Sequence, residues 1–443
     1  MADMSVHPYW ELTFGKDGSV DTDERDALLR DVTQEATEQN LTDLVIFAHG
    51  WNNTRATATA LYTRFFAPFP TLLAGLTAPG DRPRVGYVGV IWPSLRFADE
   101  APPFLAGLFT AADGPGLPPG TREALALAFP GREAVIGRLT ELAERQPEDR
   151  ARLEEFTGLV RTLVSPRPRE GGRDGSADDA WARDTASEPT VPAMFTDSAV
   201  EVCGRFADAL EATGSAPAPG LFGGALGRVW RGALELLRQG TYWEMKRRAG
   251  VVGRQGLGPA AGELAGRGPR VHLVGHSFGA RLVSFAVGGL PDGVRVRSLT
   301  LLQGAFSHYA FSPRLPFAPR RGGVLEGTAD RIDGPLVCCH SSHDSALGTL
   351  YPLASRLAGD ADSLLGLDLT RWGALGYQGM RDMPGCPAIT LAEALGDGMP
   401  ADGCVNVDAS EVVRSGGPPA GAHSDICHEE LARVVLRAGL GMR

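Results

Sequence analysis

The chain has 443 residues, of which 43% are hydrophobic, and its formal net charge is −10 at pH 7. This length fits two or three average domains or one large α/β domain with insertions, and the apolar content is ample for a core. The acidic balance, without any basic stripe, argues against nucleic acid as a partner.

The start of the chain and its cysteines both indicate a cytoplasmic protein. The first residues, MADMSVHPYWELTFG, show neither the basic nor the apolar region of a signal peptide. No apolar run approaches the length of a membrane helix, so no integral membrane segment is predicted. The six cysteines are sparse and form no C-x-x-C, which is typical of reduced thiols. Export without a recognisable signal would allow a Cys386–Cys404 disulfide.

Predicted strands and helices alternate over the first 95 residues. We expect an edge strand over 9–14, a helix capped by Asp21 or Thr22 and running to about 39, a buried strand over 44–48, a helix over 54–66 and a strand over 85–92. This alternation favours an α/β fold with a mostly parallel sheet and helices on both faces.

The strand–helix rhythm stops between residues 96 and 268. This region contains helical pieces separated by joints rich in proline and glycine, and its polar, turn-rich stretch 165–189 predicts a mobile loop. Regular strand–helix units resume at 269. We therefore interpret 96–268 as a large, mainly helical insertion or cap within one α/β core formed by 1–95 and 269–443.

A strand, a tight turn and a helix are expected over residues 270–289, RVHLVGHSFGARLVSFAVGG. The turn Gly275-His276-Ser277-Phe278-Gly279 matches G-x-S-x-G, the nucleophile elbow. In an elbow the strained turn exposes the serine, side chains at the glycines would collide with backbone, and the helix directs N–H groups at the reacting oxygen. With 57 glycines in the chain, a plain turn without chemistry is the alternative.

Further strands are expected over 294–302, 336–340 and 404–407, with a long loop over 304–334 and a terminal helix over 426–438. A serine nucleophile needs a base and an acid that orients the base, and in elbow proteins both follow later strands in the order Ser, Asp or Glu, His. Asp344 is the candidate acid because it comes just after the 336–340 strand, with a helix N-cap as its alternative role. His423 is the candidate base, in a glycine-bearing loop before the terminal helix, and its rivals are His428 or a plain surface role.

An oxyanion hole needs two backbone N–H groups aimed at the site where negative charge develops. Phe278, directly after the serine, is expected to supply one of them. The second is expected from Trp51 or a neighbour, because Gly50 lets the loop after the 44–48 strand come close. His49 is expected to bond the loop backbone, and Asn52-Asn53 either brace the loop or form a turn.

Taken in this order, Phe47-Ala48-His49-Gly50-Trp51, the G-H-S-F-G elbow and the Asp344 and His423 loops resemble the α/β-hydrolase superfamily. The pattern is similar to bacterial serine lipases and esterases with a single H-G-x oxyanion motif. It covers about 1–95 and 269–443 and leaves the helical region unmatched. The resemblance implies an α/β-hydrolase fold, a cap over an acyl pocket, no metal and no organic cofactor. It implies these roles: nucleophile Ser277, general base His423, orienting acid Asp344, oxyanion N–H groups of Trp51 and Phe278, and supporting residues His49, Gly50 and His276.

The function predicted from these residues is a serine hydrolase that cleaves a carboxylic ester of a small molecule or lipid through an acyl-enzyme. An amidase, peptidase or thioesterase with the same triad, or a non-catalytic binding protein with the same fold, are the alternatives. Cys338-Cys339-His340 with His343 is the one zinc-like pattern, but adjacent strand residues point to opposite faces, so no metal is expected. Transient membrane contact and the oligomeric state stay open.

Overall fold

Short apolar runs rich in valine, isoleucine and leucine form the strands of this protein. The computed structural model describes residues 4–76, 82–94, 117, 119–164, 194, 197–212, 225–350, 373–417 and 421–440. In these ranges eight strands form one sheet in which every neighbouring pair is parallel. The strands are β1 Tyr9–Thr13, β2 Asp43–Ala48, β3 Val85–Ile91, β4 Arg270–His276, β5 Ser298–Leu302, β6 Pro335–His340, β7 Ala388–Thr390 and β8 Gly403–Asp408. The mostly parallel α/β architecture expected from the sequence is confirmed.

The strand order across the sheet is β1-β3-β2-β4-β5-β6-β8-β7, so β4 lies near the centre. The register sets Ala48 of β2 beside Gly275 of β4, and His276 of β4 beside Leu302 of β5. Because all strands are parallel, the loops that follow β2, β4, β5, β6 and β8 leave from the same edge of the sheet. This edge is therefore where residues from distant parts of the chain can meet.

Helices cover both faces of the sheet. They are α1 Thr22–Glu38, α2 Arg55–Phe66, α3 Phe69–Leu76, α4 Pro119–Ala128, α5 Glu133–Arg145, α6 Arg150–Val164, α7 Ala199–Ala212, α8 Ala225–Val251, α9 Gly258–Ala265, α10 Phe278–Gly288, α11 Leu375–Gln378, α12 Leu391–Leu395 and α13 Glu429–Leu440. Alternate residues of β2 face opposite ways: Ile46 belongs to the same apolar cluster as Val32 of α1, whereas Phe47 packs on Phe65 of α2. None of the helices in the described ranges has the length and apolar character needed to span a bilayer.

Most of the described residues between β3 and β4 are helical. A π-helical segment, Val252–Leu257, joins α8 to α9, and α8 packs against α6, α7 and α10. Trp230 of α8 also meets Phe156 of α6 edge to face, with ring centroids 5.4 Å apart. These helices thus share one continuous apolar cluster with the sheet on the α10 side. The predicted mobile loop at 165–189 lies outside the described residues.

Several elements differ in extent from their sequence predictions. The strand predicted over 294–302 begins only at Ser298, because Val296 forms a single isolated bridge to Ile332. The terminal helix starts at Glu429, three residues later than expected. Strand β7 and helix α12 were not predicted, since a three-residue strand leaves little alternation to detect.

The six cysteines are free thiols in this structure. No disulfide joins Cys386 and Cys404. Cys338 and Cys339 belong to apolar clusters on opposite faces of the sheet, as neighbouring strand residues do.

Candidate active site

Ser277 sits at the turn between β4 and α10 with a strained backbone. Its φ of 57° and ψ of −119° lie outside the regions that side-chain-bearing residues normally occupy. The neighbouring strand holds this conformation, because the Ser277 N–H donates to the Leu302 carbonyl at 3.0 Å. The Ser277 carbonyl in turn accepts from the N–H groups of Ala280 and Ala305 at 3.1 and 3.2 Å. Ser277 therefore occupies a strained turn between a strand and a helix.

The loop after β2 lies directly against this turn. A Cβ at Gly279 would overlap the carbonyl oxygen of Ala48 and would lie 2.5 Å from that of His49. A Cβ at Gly50 would lie 2.8 Å from the Cβ of Ser277. Glycines at both positions let two backbone segments touch at the sheet edge.

We expect Gly279→Ala to destabilise the protein by about 3 kcal/mol, because backbone atoms occupy the space its methyl group needs. The measurement is the free energy of unfolding in denaturant. Gly288→Ala at the end of the same helix is the matched control, since the nearest atom to its added Cβ is Arg254 Nη2 at 3.8 Å. The free energy of unfolding of Gly288→Ala should be unchanged or higher by up to about 1 kcal/mol, because alanine has the higher helix propensity. Equal stability of the two variants would contradict the close approach.

The structure brings Ser277, His423 and Asp344 into one hydrogen-bonded chain. His423 Nε2 lies 2.8 Å from Ser277 Oγ, and His423 Nδ1 lies 2.7 Å from Asp344 Oδ2. Asp344 is fully buried, whereas the His423 side chain retains 15% exposure. A carboxylate only accepts hydrogen bonds, so Nδ1 carries the proton and Nε2 is left to accept from the serine hydroxyl.

Asp344 makes both of the contacts that its sequence context suggests: one to the candidate base and one as a helix N-cap. While Oδ2 faces His423, Oδ1 accepts the N–H of Leu347 at 3.0 Å, at the start of the π-helical turn Ala346–Leu350. The capping bond therefore fixes the carboxyl group in the orientation that meets the imidazole.

His276, inside the elbow, holds the backbone of the predicted base. Its Nε2–H donates to the His423 carbonyl at 2.8 Å, and the two rings lie 5.1 Å apart. Burial, and secondarily the nearby His423, lower the pKa of His276 to about 3. The ring is therefore neutral at ordinary pH and keeps the single N–H that this bond requires.

The rival histidine, His428, makes a different bond. Its Nε2 lies 2.8 Å from Asp425 Oδ1, and the other oxygen of Asp425 accepts the N–H groups of Arg414 and Ser415. His428 thus belongs to a polar cluster that braces the loop before α13.

Hydrogen bonds between side chains and backbone carbonyls hold the loop at 49–51. His49 Nδ1 lies 2.8 Å from the Gly50 carbonyl, and the His49 carbonyl accepts from Trp92 Nε1 at 2.9 Å. Burial lowers the pKa of His49 to about 4, so this ring is also neutral at ordinary pH. The side chain of Asn53 donates to the Gly50 and Trp51 carbonyls at 3.2 and 3.0 Å, which makes it a brace.

Trp51 and Phe278, the predicted sources of the oxyanion N–H groups, pack near each other. Their ring centroids are 6.4 Å apart, and Phe278 is the first residue of α10, where an N–H has no partner within the helix. Tyr242 of α8 packs on both rings, with centroid distances of 4.6 Å to Phe278 and 5.6 Å to Trp51. Sequence reasoning missed Tyr242, since nothing local reveals which face of α8 meets the elbow.

No protein-family model, curated protein sequence or solved structure matches this chain. Interpretation of the site therefore depends on its geometry and its motifs.

A second Asp–His–Ser chain lies at the opposite edge of the sheet. His272 Nε2 is 2.9 Å from Asp43 Oδ1, and His272 Nδ1 is 3.0 Å from Ser298 Oγ. All three side chains are buried, and Gly439 packs so tightly here that a Cβ would lie 2.7 Å from His272 Nδ1. The amino ends of the strands are thus sealed by a structural network, whereas the His423 chain reaches the surface.

Proposed function

We propose that the protein is a serine hydrolase that cleaves a carboxylic ester of a small molecule or lipid through an acyl-enzyme. The observation that carries this proposal is the chain from Asp344 through His423 to the hydroxyl of Ser277, with hydrogen bonds of 2.7 and 2.8 Å. A serine becomes a competent nucleophile when such a base can remove its proton and an acid orients the base.

The arrangement along the sheet supports the α/β-hydrolase type. The proposed oxyanion loop follows β2, the nucleophile follows β4, the acid follows β6 and the base follows β8, all at one edge of a parallel sheet. The contacts of Tyr242 with Trp51 and Phe278 support a further part of the proposal, in which the helical region 96–268 is an insertion that reaches the site as a cap.

In the first half-reaction, Ser277 Oγ forms a bond to the ester carbonyl carbon while its proton passes to His423 Nε2. The N–H groups of Phe278 and Trp51 stabilise the oxyanion. When the tetrahedral intermediate collapses, the bond to the leaving-group oxygen breaks and the imidazolium protonates the departing alcohol. Asp344 stabilises the imidazolium through Nδ1–H without taking its proton.

In the second half-reaction, water attacks the acyl carbon and His423 Nε2 takes its proton. Collapse of the second tetrahedral intermediate breaks the bond to Ser277 Oγ, which recovers its proton from the imidazolium. The free acid leaves, and the enzyme returns to its starting state. The same residues would serve an amidase, a peptidase or a thioesterase, and the ester is proposed from the resemblance to lipases and esterases.

Labelling with a fluorophosphonate tests this proposal directly. We expect stoichiometric phosphonylation of folded protein at Ser277, located by peptide mass spectrometry, and loss of hydrolysis of p-nitrophenyl esters in step with labelling. Ser277→Ala should not be labelled, whereas Ser298→Ala should react normally, because Ser298 belongs to the sealed network. A folded protein that forms no adduct would favour the non-catalytic binding protein.

A further inference from the structure

Gln303 is the residue beside Ser277 on the neighbouring strand. His276 pairs with Leu302, so the next position along each strand sets Ser277 beside Gln303. Adjacent strands lie about 4.8 Å apart, which puts an extended glutamine side chain within reach of a group bonded to Ser277 Oγ. The register therefore makes Gln303 a candidate neighbour of the proposed acyl group.

The backbone of Gln303 is held in a left-handed conformation, with φ of 44°. Its N–H donates to the Cys339 carbonyl at 3.1 Å, and Gly376 presses on it from the other side, where a Cβ would lie 2.5 Å from Gln303 Cα. A non-glycine residue keeps such a conformation only when its surroundings impose it, and residues of this kind concentrate at functional sites.

The side-chain amide of Gln303 is fully buried, yet neither its oxygen nor its nitrogen has a hydrogen-bond partner among the residues that the structure describes. Burying an amide without partners costs free energy, so native proteins rarely leave one in this state. A buried amide that offers both a donor and an acceptor is suited to a ligand group that both donates and accepts.

We infer that Gln303 is a specificity-determining residue that binds a hydroxyl or amide group on the acyl part of the substrate, close to the ester carbonyl. This inference rests on the proposed function and narrows it to esters of hydroxy acids or N-acylamino acids. An unsubstituted fatty acyl chain would leave both amide atoms unpaired. A site built to hydrogen-bond its substrate discriminates strongly against such an analogue.

The test compares kcat/KM for two esters of matched length, p-nitrophenyl N-acetylglycinate and p-nitrophenyl pentanoate. We expect Gln303→Leu to lower the value for the N-acetylglycinate by roughly 100-fold or more and to change that for the pentanoate by less than about 3-fold. The same comparison between p-nitrophenyl 3-hydroxybutyrate and p-nitrophenyl butyrate tests whether Gln303 also binds a hydroxyl group on the acyl part. Expressing each result as variant over wild type cancels the intrinsic reactivity of the esters.

Thr300→Val is the matched control. Thr300 lies on β5, is fully buried and also has a hydroxyl without a partner among the described residues, but it pairs with Val274 and Val337 inside the sheet. It should leave the ratio between the two esters unchanged. Equal losses of Gln303→Leu on both esters, or no change on either, would overturn the inference. If Gln303→Leu does not fold, Gln303→Met replaces it with the same criterion.

Fluorophosphonate labelling of each variant keeps the two proposals apart. Wild-type protein that is not labelled at Ser277 would overturn the proposed function. Labelled protein whose ester ratio does not depend on residue 303 would overturn only the assignment of Gln303.

Discussion

Replacing His423 with alanine is expected to lower kcat for ester hydrolysis by about 10⁶-fold while the protein stays folded. The variant retains the Ser277 hydroxyl but loses the imidazole nitrogen that lies 2.8 Å from it and would take its proton. Because the three residues act as a unit, losing the base costs nearly as much as losing the nucleophile. The measurement is single-turnover hydrolysis of a p-nitrophenyl ester, with circular dichroism to establish folding.

The matched control for this prediction is His428→Ala, which removes an imidazole five residues away. His428 bonds Asp425 and makes no contact with Ser277 or Asp344 among those seen in the described part of the chain. Its loss should change kcat by less than about 3-fold, within the range of surface substitutions away from a site. A large loss in His428→Ala together with a small one in His423→Ala would reverse the assignment of the base.

The core of the fold could be predicted because its strands are short, buried and apolar. The predicted ranges for β2, β6 and β8 differ from the observed ones by a single residue at one or both ends. Prediction failed where pairing depends on the rest of the structure. Val294 and Val296 have the composition of a strand. In the structure, however, Val296 forms one isolated bridge with Ile332, and its N–H donates to the Arg331 carbonyl. Strand propensity is expressed only where a partner is available.

Some residues of the candidate site could likewise be predicted from the sequence, and others could not. Ser277, Asp344 and His423 could be proposed from their order, because parallel strands carry successive loops to one edge of the sheet. Tyr242 could not, since its contact with Phe278 depends on how α8 crosses α10. Gln303 looks like an ordinary residue at a strand end, and only the surrounding structure reveals that its amide is buried without partners.

Asp344→Asn is expected to lower kcat by about 10⁴-fold with little effect on stability, although it changes only one atom. The amide oxygen can still accept the Leu347 N–H, so the turn keeps its capping bond. The amide nitrogen would replace Oδ2, which lies 2.7 Å from His423 Nδ1, and would donate to that atom. The imidazole would then carry its proton on Nε2 and could no longer accept the proton of Ser277.

Asp408→Asn is the control, because it makes the same chemical change at an aspartate for which no hydrogen bond to His423 is seen in the described part of the chain. Asp408 ends β8 at the same sheet edge, and its Oδ1 accepts the Ser410 N–H at 2.9 Å, as Asp344 does for Leu347. Asp408→Asn should therefore leave kcat within about 3-fold of wild type. If Asp344→Asn kept more than a tenth of the wild-type kcat, another group would have to orient His423. If it lost activity only by unfolding, the carboxyl group would be a cap rather than the acid that sets the tautomer of the base.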